Sequence, residues 1–359
     1  MSNHHMLSEI REQPEAFKKI LSGTRPRILQ IAQSAWKRNH PSTFFLTGCG
    51  SSYYAAMIPA FYYDYLLGLD GRAVPSSEFV WYAPGPAAVS SSILISLSRS
   101  GRTSESVEAI RKAMKAKIPT IAVTSDPTST MSKECEFSLD TGVSNEQSTI
   151  MTKTFTGGAL CSTLLGIEFA KLHGTTPVPT RLENELATLP DDAKEVISTV
   201  EDHVKTSAES ANASRFIYLG SGANYAACLE GALKLRETSY VASEAYHTME
   251  FRHGPFAELE KGIQVLSVVP KGRNISEQLK ILREIAATGA TVVPISNEPE
   301  VVKDFEDAIE MPESIGSTFA SLLYMIPMQL FAYYYSVKNG RNPDQPRNLT
   351  KFVTTEIGQ

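Results

Sequence analysis

Cysteine is scarce in this chain, and what there is lies scattered. Cys49, Cys135, Cys161 and Cys228 stand apart, with no two at metal-ligand spacing. This excludes a disulfide-stapled scaffold and a cysteine-based zinc site, and it fits reduced thiols in a cytoplasmic protein. No apolar run is long enough for a signal peptide or a membrane-spanning helix, so no membrane partner is expected. A basic excess is missing too. The formal net charge is −5, which argues against nucleic acid or an anionic membrane surface as partner. A small anionic ligand stays open, because local dipoles bind one without a basic surface. His4 and His5, near the chain start, are not read as a metal site, and neither metal nor cofactor is expected.

What is present is ordinary globular composition, 42% hydrophobic and 20% charged over 359 residues, long enough for two domains with a sizeable core. Residues 1–40 read as helical. Pro14 suits a first helical turn, and Ile28, Ile31, Ala32 and Trp36 follow helical spacing. Residues 43–47 form a short apolar strand that runs into Gly48-Cys49-Gly50-Ser51-Ser52 and a helix start. Further strands are expected at 91–97, 119–125 and 137–139, and an apolar helix at 157–172. Strands alternating with helices predict a parallel α/β sheet.

Beyond a helical connector at 174–215 the pattern returns. A strand at 215–219 enters Gly220-Ser221-Gly222-Ala223-Asn224-Tyr225, echoing Gly48-x-Gly50-x-x-Tyr53 at an offset of 172. Strands at 263–269 and 291–296 echo those before Gly101 and at 120–125 at an offset of 171. The chain reads as two copies of one α/β domain, at 41–185 and 186–340, with a long helical stretch from about residue 315 and a tail at 341–359.

Two stretches carry chemistry. Ser98-Arg99-Ser100-Gly101-Arg102-Thr103 crowds hydroxyls, a glycine and two arginines onto a strand-to-helix junction. It reads as a helix cap or as a phosphate cradle, where hydroxyls, backbone N–H groups and the helix dipole meet one anion. No Gly-Lys-Ser/Thr loop is present, which points to a sugar phosphate rather than a nucleoside triphosphate. In the second copy the matching turn, Val269-Pro270-Lys271-Gly272, lacks the serines. The other stretch is Leu229–Tyr240, which as a helix sets Glu230, Lys234 and Glu237 on one face. Alone, that row fits a surface ion-pair ladder or a proton-transfer row facing a cleft.

These residues carry a resemblance. Gly48–Tyr53, Ser98–Thr103 and Leu229–Tyr240 resemble the SIS (sugar isomerase) domains, and more closely the isomerase half of the glutamine–fructose-6-phosphate aminotransferases. Glu244-Ala245-Tyr246 with Glu250-Phe251-Arg252-His253-Gly254-Pro255 is similar to their His-Gly-Pro segment. Asp344–Lys351 resembles their C-terminal tail, and Glu9-Ile10 with Glu12-Gln13-Pro14 the start of that half. The resemblance implies two tandem flavodoxin-like SIS domains with parallel sheets, a homodimer and a hexose-phosphate substrate. It implies that Ser52, Ser98, Arg99, Ser100 and Thr103 bind the phosphate. Glu237 moves the proton between C1 and C2 of the open sugar, with Glu230 and Lys234 lining the same cleft. His253, reaching the neighbouring subunit's site, assists ring opening, and Lys351 on the tail meets the sugar carbonyl. Ser51, Thr149 and Thr350 are further substrate-binding candidates.

The chemistry suits these residue types. Aldose–ketose interconversion proceeds without metal or redox cofactor when one base spans two adjacent carbons. A histidine titrates near neutral pH, and a lysine forms imines with ketoses. Departures from the pattern mark the substrate as open. Two SIS copies fill the chain, leaving no room for a glutaminase domain, so glutamine hydrolysis is not expected of it. Arg99 stands where the aminotransferases have Gln, Met151 where they have Ser, and Thr350 where they have Ala. The reading is an aldose/ketose isomerase-type enzyme on an amino-sugar or hexose 6-phosphate, of the glucosamine-6-phosphate deaminase/isomerase kind. Alternatives are a deglycase of fructosyl- or glucosyl-amino acid 6-phosphates, in which Arg99 or Arg102 meets the extra carboxylate, and an ammonia-dependent synthase. A non-catalytic sugar-phosphate sensor is the alternative of another class.

Overall fold

The computed structural model describes residues 4–82, 91–174 and 177–355. The others, among them the first residues of the expected helical start and the last four of the tail, lie outside the described residues. The chain packs as two compact units. The first comprises Glu15–Glu146, Met151–Ala187 and Leu349–Gln359, the second Met1–Pro14, Gln147–Ile150 and Thr188–Asn348.

The helices, in chain order, are α1 (His5–Arg11), α2 (Gln13–Lys19), α3 (Arg25–Asn39), α4 (Ser51–Leu67), α5 (Ser76–Tyr82), α6 (Ser104–Lys115), α7 (Thr130–Glu134), α8 (Lys153–His173), α9 (Thr180–Ser210), α10 (Ala223–Ser239), α11 (Ile275–Ala286), α12 (Pro299–Asp304), α13 (Ala320–Leu323) and α14 (Met325–Lys338). The helical stretch expected from about residue 315 therefore starts at Ala320.

The first unit is built on a parallel sheet of β1 (Thr43–Gly48), β2 (Asp70–Pro75), β3 (Ser92–Leu97), β4 (Thr120–Thr124) and β5 (Phe137–Asp140), in the order β2-β1-β3-β4-β5. Neighbouring residues of β1 serve opposite faces, as strand geometry requires. Phe44 meets Tyr63 of α4 and Phe169 of α8, while Phe45 meets Phe79 of α5. Leu94, Ile110 and Met131 complete the core on the second of these faces. With helices on both faces, β1, β3 and β4 are buried almost throughout, which is why they read as continuous apolar runs.

The second unit repeats this plan. Its strands are β6 (Arg215–Gly220), β7 (Ala242–His247), β8 (Ile263–Val269), β9 (Thr291–Ser296) and β10 (Ile309–Glu310). Their order, β7-β6-β8-β9-β10, is that of the first sheet. Phe216 packs on Phe331 and Tyr335 of α14, and Ile217 faces Ile281 and Ile285 of α11. In each sheet the strand order reverses beside the first strand of the copy, β1 or β6, the position where open α/β sheets leave a crevice at the carboxyl ends of their strands.

Candidate active site

In the first unit the crevice is floored by two strand-to-helix turns. β1 turns into α4 so tightly that a Cβ on Gly48 would lie 2.4 Å from the Ser52 carbonyl carbon, and Gly50 takes a φ of +53°. Ser51 and Ser52 open α4, both largely buried. The Ser52 hydroxyl lies 3.9 Å from the Met151 sulfur, a weak acceptor. β3 turns into α6 through the six residues 98–103. Gly101, at φ +60°, lies so close to Ser129 that a Cβ would come within 2.1 Å of its Oγ. Ser98 Oγ accepts from the Gly101 N–H (3.1 Å), and Ser100 Oγ accepts from the Arg102 N–H (3.2 Å). Thr103 is the extended residue before α6, and its hydroxyl makes no capping bond to the helix. Ser52, Ser98, Arg99, Met151 and Thr154 line one small cleft. The turn thus sets three hydroxyls beside the positive end of a twelve-residue helix, as an anion site requires.

Neither arginine of this turn stands as an open cation. Arg99 Nη1 donates to Glu146 Oε2 (2.9 Å), with the two side chains 11% and 2% exposed. Arg102 pairs with Asp126 at 2.7 Å. Hydrogen bonds from Thr128 and then from Arg102 hold the Asp126 carboxyl down at about 2. Glu146 is the residue that sequence reasoning missed. It takes hydrogen bonds from the N–H and Oγ1 of Thr152 (2.9 and 3.0 Å) and of Thr154 (3.2 and 2.5 Å), so it caps α8. Burial pushes its carboxyl up, but the Arg99 charge and these hydrogen bonds outweigh that and hold it below the usual range. The tail joins the same cluster. Lys351 Nζ donates to the Glu146 carbonyl (2.7 Å), while the Thr350 hydroxyl turns back to the Phe352 carbonyl (2.8 Å).

In the second unit α10 follows a matching turn, with Gly222 at φ +58°. Its charged row is no surface ladder. Glu230 and Lys234 are wholly buried, and Glu237 is 19% exposed. Lys234 Nζ lies 2.9 Å from Glu230 and 2.7 Å from Glu237. Burial lowers the Lys234 pKa, but the Glu230 and Glu237 charges overcome this and raise it above its ordinary value. The ammonium therefore stays charged, and Glu237 is the member of the row that reaches solvent. Leu229 and Leu233, by contrast, are only partly buried. At the offset of 172, the first copy carries Ile58, Tyr62 and Tyr65 on α4, at 0%, 3% and 55% exposure. The fold accepts uncharged groups at the two buried positions.

His253 is exposed, between short 3₁₀ turns at Glu250–Arg252 and Pro255–Glu258, and its N–H donates to the Glu250 carbonyl (2.9 Å). The Thr149 N–H donates to the Asp344 carbonyl (3.0 Å), and the buried Glu9 carboxylate of α1 accepts from the N–H groups of Gln147 and Ser148. Ser51, Ser52, Ser98, Arg99, Ser100, Thr103, Thr350 and Lys351 lie in the first unit, and Thr149, Glu230, Lys234, Glu237 and His253 in the second, where Glu230, Lys234 and Glu237 meet in one row while Thr149 and His253 bond elsewhere. Among the described residues no three His, Cys, Asp or Glu side chains group as a metal site, and no helix is long and apolar enough to cross a membrane.

The SIS domain family matches residues 39–163 and 210–338. The chain is 31% identical to the glutamine–fructose-6-phosphate aminotransferase (isomerizing) of Clostridium tetani, covering 99% of this chain and 59% of that protein. It therefore spans well under two thirds of the length of this relative. Among solved structures it is similar to the C-terminal domain of glucosamine-fructose-6-phosphate aminotransferase from Francisella tularensis, with TM-score 0.87, 26% identity, and 96% and 98% of the two chains covered. It is also similar to glucosamine-6-phosphate deaminase from Thermotoga maritima, with TM-score 0.75, 25% identity, and 97% and 99% covered.

Proposed function

Because the chain belongs to the SIS domain family, carrying two SIS segments, we propose that it is an enzyme isomerising or deaminating an amino-sugar or hexose 6-phosphate, with glucosamine 6-phosphate and fructose 6-phosphate as its substrate and product. The observation that carries this reading is the α10 row: a buried ammonium behind one solvent-reaching carboxylate, at positions where the other copy has Ile58, Tyr62 and Tyr65. In this reading Ser52, Ser98, Ser100 and Thr103 hold the phosphate. Glu237 takes the proton from C2 of the open aldose and returns it to C1, giving the ketose imine. Water then replaces ammonia at C2, so that glucosamine 6-phosphate and water become fructose 6-phosphate and ammonia. Lys234 offsets the charge of Glu237 as the proton comes and goes. His253, supplied from a second copy of this chain in a homodimer, serves ring opening, and Lys351 meets the carbonyl.

The arginines favour this reading over deglycation. A fructosyl-amino acid brings an extra carboxylate, and both cations of the cradle turn already face carboxylates of the chain itself.

The test is a panel of glucosamine 6-phosphate, fructose 6-phosphate with ammonium, and a fructosyl-amino acid 6-phosphate, each given to wild type and Glu237→Gln. Turnover of the first, reduced by about a hundredfold or more in the variant, is expected. Full activity in the variant would remove Glu237 from proton transfer. Tight binding with no turnover of any member would make the protein a sensor.

A further inference from the structure

Arg99 does more than face Glu146. Its Nη2 also donates to the Lys351 carbonyl (3.1 Å), and Lys351 Nζ returns to the Glu146 carbonyl (2.7 Å). Three residues distant in sequence therefore close a ring: one on the cradle turn, one before α8, one on the tail. Two and four residues on, the tail is tied again. The Ser104 N–H donates to the Val353 carbonyl (3.3 Å), and the Thr355 N–H donates to Ser104 Oγ (2.9 Å). Residues 351–355 are thus fastened at both ends of the 99–104 turn.

We propose that Arg99 is a positioning residue, the latch that with Glu146 fixes the C-terminal tail against the cradle turn, and that it is not a ligand of the phosphate. A planar guanidinium presents two N–H edges at once and bridges a carboxylate and a carbonyl. A glutamine, the residue at this place in the aminotransferase pattern, has a shorter, uncharged arm. The ion pair is nearly dry at both ends, so solvent and salt screen it little. The fastening at Ser104 consists of two bonds between uncharged groups, so the charged anchor at Arg99 is the stronger. The proposal rests on the functional reading only in calling the turn a phosphate cradle; the latch itself is tested without any turnover.

Trypsin needs its substrate extended and detached, so cleavage after Lys351 is expected to quicken when the tail leaves the turn. The full chain, its Arg99→Gln variant and its Arg99→Lys variant are digested briefly, and loss of residues 352–359 is followed by mass spectrometry. Inorganic phosphate binding is measured in parallel by phosphorus NMR line broadening, and thermal melting checks the fold. Arg99→Gln is expected to release the tail about tenfold faster, the effect of one lost charge-assisted hydrogen bond, with phosphate affinity within about twofold of wild type. Arg99→Lys falls between, and decides the matter alone if the glutamine variant does not fold. Unchanged cleavage at Lys351 overturns the latch. So does a tenfold loss of phosphate affinity with the tail still held, which makes Arg99 a ligand. Absence of phosphate binding in the wild type counts against the functional reading, while the cleavage rates still decide the latch.

Discussion

Replacing Lys234 by methionine leaves Glu230, wholly buried one turn away on α10, without the ammonium at 2.9 Å. Removing one partner of a buried ion pair costs about 3–5 kcal/mol, because the other charge stays in the core uncompensated. Total stabilities run at about 5–15 kcal/mol, so a large share of the second unit's stability should go. The first copy of the domain suggests the rescue. Glu230→Ile with Lys234→Met puts apolar groups where α4 carries Ile58 and Tyr62, and leaves Glu237, partly exposed, to be solvated. That double variant should cost under about 2 kcal/mol, since replacing a buried pair whole is often close to neutral. The two substitutions should therefore couple by about 2 kcal/mol or more in a double-mutant cycle.

pH separates the causes. Lys234 has a raised folded pKa, so its contribution is fully present below its ordinary value of about 10.4 and is lost only as pH rises through the higher folded one. Wild type should show nothing from this residue between about pH 5 and pH 8. In Lys234→Met, protonation of buried Glu230 removes the charge that the ammonium balanced, so the variant should recover stability as pH falls from about 8 to about 5. The assay is urea unfolding of the full chain at those two values. Both tryptophans, Trp36 and Trp81, lie in the first unit, so their fluorescence is an internal control while far-ultraviolet circular dichroism follows the whole chain. A cost below about 1 kcal/mol, or equal costs for the single and double variants, would refute the buried-charge reasoning.

Two further outcomes follow from the first unit. Gly101→Ala places a Cβ 2.1 Å from Ser129 Oγ, a hydroxyl already committed as the cap of α7, at a φ of +60°. It should cost about 2 kcal/mol or more from left-handed strain and clash, visible as a lower melting temperature and weaker phosphate binding; a wild-type melt would show that the turn yields freely. Glu146, with its folded pKa depressed, contributes stability that is present above its unfolded value of about 4.3 and lost as pH falls through the lower folded one. Amide exchange at Ser104 and Thr355, whose N–H groups tie the tail to the turn, should therefore stay slowed through that ordinary range and quicken only below it, and release of the tail above it would contradict the assignment.

Of the strands that sequence reasoning found, β1, β3, β4, β6, β8 and β9 are buried almost throughout and announce themselves as apolar runs, while β5 is an edge strand found from the short stretch Phe137-Ser138-Leu139. Sequence reasoning missed β2, Asp70-Gly71-Arg72-Ala73-Val74-Pro75, and β7, which are edge strands with mostly half-exposed residues. Only their pairing with β1 and β6 makes them strands, and a linear pattern does not record a partner. α11 carried a readable apolar stripe, Leu279, Leu282 and Ile285, that the strand count passed over. Around the candidate site, the hydroxyl cluster of the 98–103 turn was legible because it is local to one strand-to-helix junction. Glu146 was not, since its role depends on Arg99, 47 residues earlier, and on the tail 205 residues later.

α10 shows why a helical pattern by itself misleads here. Judged by hydrophobicity, Leu229 and Leu233 should be the buried residues and Glu230 and Lys234 the exposed ones; instead Glu230 and Lys234 are wholly buried and the two leucines only partly. Neither the strand order nor the helix length explains this, because α4 is also 17 residues long, stands at the same place in the other copy, and buries Ile58 and Tyr62 there. Two copies of one architecture therefore act as each other's control. What the fold requires at these positions is bulk, and the first copy meets that requirement without charge. The charge in the second copy is an addition that burial alone makes costly. Stability alone does not call for these charges, whereas the proposed proton transfer at Glu237 beside a fixed cation would give each of the three residues a task.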